Sequence, residues 1–183
     1  MSHATERGED VQQPVVVVMG VSGTGKSTVA GLLAGRLNWD LEEGDDLHPA
    51  ENVAKMAAGI PLTDDDRWPW LDTVASWIRE HELAGRPGVI TCSALKRAYR
   101  DRLRGPHVVF VHLVGSAELV GNRLTKRVDH YMPPTLLQSQ MDTLETPDPD
   151  ERVLTVDIGR KPAAEADEIV ERLGLHPEPR ELA

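Results

Sequence analysis

Val15–Met19 is an unbroken apolar run, four of its five residues valine, and it ends at Gly20. Continuous β-branched runs of this length mark a strand covered on both faces. Val29, Leu32, Leu33 and Leu37 then fall at helical spacing and predict a helix over Lys26–Leu37. A short strand over Trp39–Glu43 follows, then a helix over Pro49–Ala58 with proline in its first turn and Gly59 and Pro61 to stop it. Leu71, Val74, Ala75 and Ile78 share one face of a longer helix over Pro69–Leu83. The remaining pattern gives strands at Val89–Cys92, Val108–Val114 and Val153–Ile158. Helices are expected at Lys96–Leu103, Ser116–Lys126, from Pro133 and Pro134 to about Leu144, and at Ala163–Leu173. Strands alternate with helices throughout, which predicts an α/β fold with a mostly parallel five-stranded sheet and helices on both faces.

The chain has 183 residues, the size of one domain. The expected division is a flexible extension over 1–13, a single domain over 14–175 and a frayed tail over 176–183 containing Pro177 and Pro179. The single cysteine, Cys92, excludes a disulfide framework and fits a reducing, cytoplasmic setting; it lies in an apolar strand and reads as a buried structural thiol. No apolar run is long enough for a transmembrane helix, and the polar first thirteen residues lack the apolar stretch of a signal peptide. The formal net charge of −10 speaks against a broad nucleic-acid or anionic-membrane surface. It leaves room for a small phosphate ligand in a local pocket. Charge is also segregated. Asp40, Glu42, Glu43, Asp45 and Asp46 stand together, as do Asp64, Asp65 and Asp66. Bases gather at Lys96, Arg97, Arg100, Arg102 and Arg104, and again at Arg123, Lys126 and Arg127. Each cluster is either a solvated helix face or part of a metal–phosphate site. No cysteine–histidine cluster has zinc spacing.

Gly20-Val-Ser-Gly-Thr-Gly-Lys26-Ser27 fits G-x-x-x-x-G-K-[ST], between a β-branched strand and a helix as that motif requires. Its glycines bring backbone N–H groups close to an anion, and the following helix N-terminus adds to the cradle. Gly20, Ser22, Gly23, Thr24, Gly25, Lys26, Ser27 and Thr28 are therefore the expected nucleotide contacts. Lys26 is aimed at the β- and γ-phosphates, and Ser27 offers its hydroxyl to Mg²⁺. A phosphate loop of this kind serves switches, ATPases and small-molecule kinases alike.

Further segments resemble the gluconokinase family of small P-loop kinases. They are Gly44-Asp45-Asp46-Leu47-His48-Pro49; Asn52-Val53-Ala54-Lys55-Met56 with Gly59-Ile60-Pro61-Leu62; and Asp64-Asp65-Asp66-Arg67-Trp68-Pro69-Trp70-Leu71. Cys92-Ser93-Ala94-Leu95-Lys96-Arg97 with Tyr99-Arg100 follows, then His130-Tyr131-Met132-Pro133 with Leu136-Leu137-Gln138-Ser139-Gln140 and Leu144-Glu145. The resemblance runs from about Val15 to Ile158. It implies a three-layer P-loop kinase fold, similar to shikimate kinase, with a small helical lid at about 124–140. It also implies ATP and Mg²⁺ as cofactors, phosphorylation of D-gluconate on its 6-hydroxyl, and a homodimer.

An attacking hydroxyl needs an acceptor for its proton, commonly a carboxylate. Asp45 stands just past the second strand, at the edge where ligands of open α/β sheets bind, and the family's Gly-Asp motif falls on it. Asp45 is the first choice and Asp46 the second, each against a plain helix cap or solvated turn. Glu43 stands where many relatives carry Asp and is a candidate for the second shell of Mg²⁺. His48 either contacts a substrate hydroxyl or closes a turn. Bidentate recognition of a carboxylate favours Arg, and in the related architecture the Arg67 segment faces the acceptor, so Arg67 is the first acceptor contact and Arg100 the second. The alternative for Arg67 is an ion pair with Asp64 or Asp65. Lys96, placed in the catalytic set, and Arg97, placed with the acceptor, follow the third strand; either they hold the transferring phosphoryl group or the acceptor, or they are surface bases. Related kinases use arginines at the positions of Arg123 and Arg127 to stack on adenine and to reach the phosphates. Val128-Asp129 departs from the basic residue and glycine of many relatives. His130 completes the implied substrate set. Two other classes stay open: a P-loop kinase of another acceptor, shikimate-like or a nucleoside monophosphate, and a nucleotide-binding module without phosphotransfer.

Overall fold

The computed structural model describes residues 12–125 and 134–179. Five strands, β1 Val15–Met19, β2 Asp40–Glu43, β3 Gly88–Thr91, β4 Val108–Val114 and β5 Val153–Asp157, form one sheet in the order β2-β3-β1-β4-β5, every pairing parallel. The helices are α1 Lys26–Leu37, α2 Ala50–Ala57, α3 Asp64–Ala84, α4 Arg97–Leu103, α5 Ala117–Thr125, α6 Pro134–Thr143 and α7 Pro162–Leu173, with a 3₁₀ turn at Gly44–Leu47.

The path from β1 to β2 runs one way across the sheet, and every later connection runs the other way. Right-handed crossovers therefore put α1 on one face and α2 to α6 on the other. In keeping with this, α7 packs against α1 and α3 against α4. β1, β3 and the α1 face supply the core: Val16, Val17, Val18, Val29, Leu33, Val89 and Ile90 are wholly buried. The reversal of direction falls at β1, so the crevice beyond its carboxyl end is the place for a ligand, and there the chain enters the phosphate loop.

Two expectations are corrected. The long helix begins at Asp64, not Pro69. Thr63 is its N-cap: its hydroxyl accepts from the Asp66 N–H at 3.2 Å, and the Asp66 carboxylate accepts from the Thr63 N–H at 2.9 Å. This reciprocal cap, with three acids on the positive end of the helix dipole, outweighs the one backbone bond that Pro69 removes. The tail does not fray at 176. The Glu178 N–H donates to the Leu37 carbonyl at 2.8 Å, Trp39 Nε1 to the His176 carbonyl at 3.2 Å, and the His176 N–H to Gln13 Oε1 at 3.0 Å. Among the described residues no helix is long and apolar enough to cross a membrane.

Cys92 is buried at the end of β3, its N–H bound to the Val18 carbonyl at 3.0 Å. Burial pushes its thiol up to about 12. The folded protein should therefore be inert to a thiol–disulfide reagent at pH 8 over many minutes and release one thiol per chain on denaturation. Rapid reaction of the native protein would show that this strand end opens.

Candidate active site

The phosphate loop closes on itself. Thr24, almost wholly buried, donates its hydroxyl to the Val21 carbonyl at 2.9 Å, and Lys26 Nζ reaches the Gly20 and Val21 carbonyls at 2.8 and 3.1 Å. Gly25 has φ 89°, a left-handed conformation that a side chain disfavours, and it turns the loop into the first turn of α1. Arg123 lies across the mouth of the loop: Nη2 donates to the Ile158 carbonyl at 2.6 Å and Nη1 approaches the Thr24 carbonyl at 3.5 Å. Thr28 is exposed on the first turn of α1.

Beside the loop, Glu43 ends β2 in register with Thr91 of β3. Glu43 Oε2 accepts from the Ser27 hydroxyl at 3.0 Å and from the Thr91 hydroxyl at 2.6 Å, and Thr91 Oγ1 accepts from the Gly44 N–H at 3.1 Å. A hydroxyl and a carboxylate, both hard oxygen donors, thus meet at the head of the phosphate loop. That donor set fits Mg²⁺, which keeps several waters and takes its other ligands from phosphates. Among the described residues no three His, Cys, Asp or Glu side chains are grouped to hold a metal by themselves.

Ser22, Lys26, Asp45, His48, Arg67 and Gln140 line one cleft, closed by apolar walls that include Ile60, Leu62, Trp70 and Leu136. Asp45 is exposed in it; Asp46 is exposed too but does not line it. His48 stacks on Trp70 with centroids 4.0 Å apart. Its Nδ1 faces Asn52 Nδ2 at 3.1 Å, and that same amide nitrogen donates to the Asp66 carbonyl at 2.8 Å. An amide nitrogen only donates, so His48 Nδ1 accepts and Nε2 carries the proton. Nε2 sits 3.9 Å from Asp45 Oδ1. Burial lowers the His48 pKa, with Asp45 pulling the other way and Arg67 adding to the fall, which favours the neutral ring.

The bases after β3 depart from expectation. Arg100 is no substrate contact. It is wholly buried, its Nε and Nη2 on Glu151 at 2.7 and 3.3 Å, with further donation to the carbonyls of Ala94, Leu95 and Glu145 at 2.9 to 3.2 Å. Ala94 has φ 49°, so the guanidinium holds a strained loop in place. Burial alone would raise Glu151, yet the hydrogen bonds from Arg100 and from the Asp148 N–H keep its carboxyl below the usual range. Arg97 is likewise turned away, onto Asp148 and Asp150 at 2.7 Å each. Lys96 does not line the cleft; its ammonium grips both oxygens of Asp64 at 3.0 and 3.1 Å. Arg127 and His130 lie outside the described residues.

Sequence reasoning gave no individual role to Thr91, Asn52 or Tyr99; Thr91 and Tyr99 act on partners far along the chain, Asn52 on the nearer His48 and Asp66. It gave no role to Gln140 either, whose Oε1 accepts from the Ser22 N–H at 2.8 Å. A polar pair bridging 118 residues leaves no periodic signal.

No family model matches the chain. A gluconokinase from Gluconobacter oxydans is 49% identical over 170 residues, covering 92% of this chain and 94% of that protein. The chain belongs to the gluconokinase family. The thermosensitive gluconokinase of Escherichia coli is 43% identical over 145 residues, 78% of each chain. Among solved structures, a gluconokinase from Sinorhizobium meliloti superposes with a TM-score of 0.82 at 44% identity, covering 89% of this chain and 93% of the other. A sugar kinase from Janibacter gives 0.85 at 47% identity, covering 90% and 96%. A shikimate kinase from Aquifex aeolicus shares the fold alone, with a TM-score of 0.55 at 16% identity over 87% of this chain and 95% of the other.

Arg100→Met should lower stability by about 3–5 kcal/mol, because Glu151 loses its buried guanidinium partner and keeps only the Asp148 N–H and a 3.5 Å contact with Arg104. In the folded fraction any change should fall on the acceptor and ATP KM together, because the 93–95 segment that Arg100 holds lines the cleft and also binds the phosphate loop. Denaturant unfolding beside steady-state kinetics checks both; a raised acceptor KM alone, at normal stability, would return Arg100 to the substrate.

Proposed function

We propose that the chain transfers the γ-phosphoryl group of ATP to the 6-hydroxyl of D-gluconate, giving 6-phospho-D-gluconate and ADP. One observation carries the reading: Lys26 of the phosphate loop shares a cleft with Asp45, His48 and Arg67. Anion-binding, proton-accepting and carboxylate-recognising groups therefore face the same space.

In this reading the loop N–H groups and Lys26 hold the β- and γ-phosphates. Lys26 exchanges its bonds with the Gly20 and Val21 carbonyls for phosphate oxygens. Arg123, spanning Thr24 and Ile158, offers its guanidinium plane to the adenine. The acceptor lies toward Arg67, whose planar fork suits a carboxylate. The His48 Nε2–H donates to a sugar hydroxyl. Asp45 orients the attacking hydroxyl and takes its proton as the new O–P bond forms and the bond to the β–γ bridging oxygen breaks, releasing ADP. Ser27 and Glu43 would hold Mg²⁺, which supplies charge neutralisation of the phosphates when bound. Lid contacts from Arg127 and His130, a homodimer and a cytoplasmic location belong to the same reading and are supported by the family resemblance.

The test is ADP release with gluconate, other sugar acids, shikimate and AMP as acceptors. Stimulation by gluconate above the rest is expected; no stimulation by it would overturn the substrate. Asp45→Asn should retain ATP binding and lower kcat by about 10²-fold or more, and near-normal turnover would remove Asp45 from the mechanism. Glu43→Gln should raise the Mg²⁺ concentration needed for half-maximal rate while leaving the gluconate KM unchanged. An unchanged Mg²⁺ requirement would confine Glu43 to bridging Ser27 and Thr91.

A further inference from the structure

We infer that Tyr99 is a positioning residue for acceptor recognition, fixing Arg67 through its hydroxyl while Lys96 keeps Asp64 from claiming the Arg67 charge. The inference rests on the reading that Arg67 meets the acceptor's carboxylate. Arg67 carries a long side chain with large rotamer freedom, and a bidentate contact needs its fork held in one plane.

Tyr99 is suited to hold it. The residue is 1% exposed. Its ring stands edge-on to Trp68 at 5.4 Å, with the Arg67 guanidinium and Lys96 ammonium 5.4 and 5.7 Å from its centre. The hydroxyl accepts from Arg67 Nη1 at 2.9 Å and donates to Asp64. Its polarity has one solution, since a guanidinium only donates and a carboxylate only accepts. Asp64 is held in turn by Lys96 at 3.0 and 3.1 Å. The hydrogen bonds from Tyr99 and Lys96 keep the Asp64 carboxyl below its usual range.

The consequence is electrostatic as well as geometric. The sequence alone allows an ion pair of Arg67 with Asp64 or Asp65. Instead, among the described residues, Arg67 forms no ion pair; its hydrogen-bonded link to Asp64 runs through the tyrosine hydroxyl, with only a lesser direct attraction between the two charges. Its charge is left facing the cleft that it lines. Lys96 thus belongs to acceptor recognition by way of Asp64 and Tyr99, at one remove from the reacting atoms.

Tyr99→Phe removes the hydroxyl and keeps the ring. It should raise the gluconate KM by about tenfold, as loss of one hydrogen bond to a charged group does, with kcat and the ATP KM within about twofold. With gluconamide, in which a neutral carboxamide replaces the carboxylate, Tyr99→Phe should leave KM unchanged. Lys96→Met, which frees Asp64 to draw on Arg67, should show the same split without a fall in kcat. Arg67→Ala is the reference. If it raises the gluconate KM and Tyr99→Phe does not, the positioning role is overturned while the acceptor reading stands. If Arg67→Ala itself leaves the gluconate KM unchanged, the acceptor reading fails and the inference with it. An equal rise for gluconate and gluconamide in Tyr99→Phe would mark a general packing defect and also overturn it. A kcat loss in Lys96→Met at constant KM would place the lysine on the transferring group instead.

Discussion

The close approach of Gly44 to β3 sets the geometry of the whole catalytic edge. A Cβ on Gly44 would lie 2.0 Å from the Thr91 carbonyl oxygen, so no other residue fits without moving one of the two backbones. With that contact made, the Gly44 N–H reaches the Thr91 hydroxyl and the Gly44 carbonyl receives Trp70 Nε1 at 2.7 Å. Thr91 then holds Glu43 against Ser27 of the phosphate loop, and Trp70 gives His48 a surface to stack on. The Ser27–Glu43 side and the His48–Trp70 side of the cleft thus hang from one crowded turn. Asp45, the next residue, follows in the 3₁₀ turn, its carbonyl accepting from the His48 N–H at 3.3 Å. Shifting that turn outward would separate Asp45 from the phosphate loop and break the hydroxyl chain to Ser27 in one step.

The acidic net charge and the phosphate chemistry are reconciled by how the bases are paired. Most of the basic stretch after β3 is neutralised locally. Arg97 binds Asp148 and Asp150, Arg100 binds Glu151, Arg102 binds Asp72 and Arg104 binds Asp101. The exposed pairs contribute little stability individually. Their effect at the cleft is instead to withdraw positive charge that would compete for an anion. Lys26 and Arg67 face the cleft, and Arg123 lies at the loop mouth; these are the positions where a triphosphate and a carboxylate are expected to bind. Local placement, assisted by backbone N–H groups, does what a globally basic surface does for polyanions.

The parallel sheet and the phosphate loop were legible because both have local signals: β-branched runs, helical spacing, and a fixed glycine–lysine spacing. Asp45, His48 and Arg67 were singled out through their motifs, and the structure places all three along one cleft with Lys26. Arg100 and Arg97 were misread because a cluster of like charges in sequence carries no record of its partners, which lie about fifty residues later at Asp148–Glu151. The start of α3 was misread for a different reason. Proline is the stronger cue along the chain, whereas the Thr63–Asp66 cap is stronger in the folded helix. The hydrogen bonds of His176 and Glu178 were missed because proline-containing termini look frayed until the groups they bind, here the Leu37 carbonyl and Trp39 Nε1, are known.

Burial of Arg100 bears on the site even though the residue never reaches it. Ser93 and Leu95 line the cleft on either side of left-handed Ala94, and the Gly20 N–H binds the Ser93 carbonyl at 3.3 Å. The phosphate loop and the acceptor wall therefore share this segment. A left-handed alanine persists only where its surroundings determine it. Here the surroundings are the guanidinium on the Ala94 and Leu95 carbonyls and the Glu145 N–H on the Leu95 carbonyl at 2.7 Å. A neutral side chain of similar size would fill the space but could not hold those carbonyls together. Arginine at this position thus serves loop geometry, whereas the arginine at 67 lines the cleft and is the one proposed for recognition.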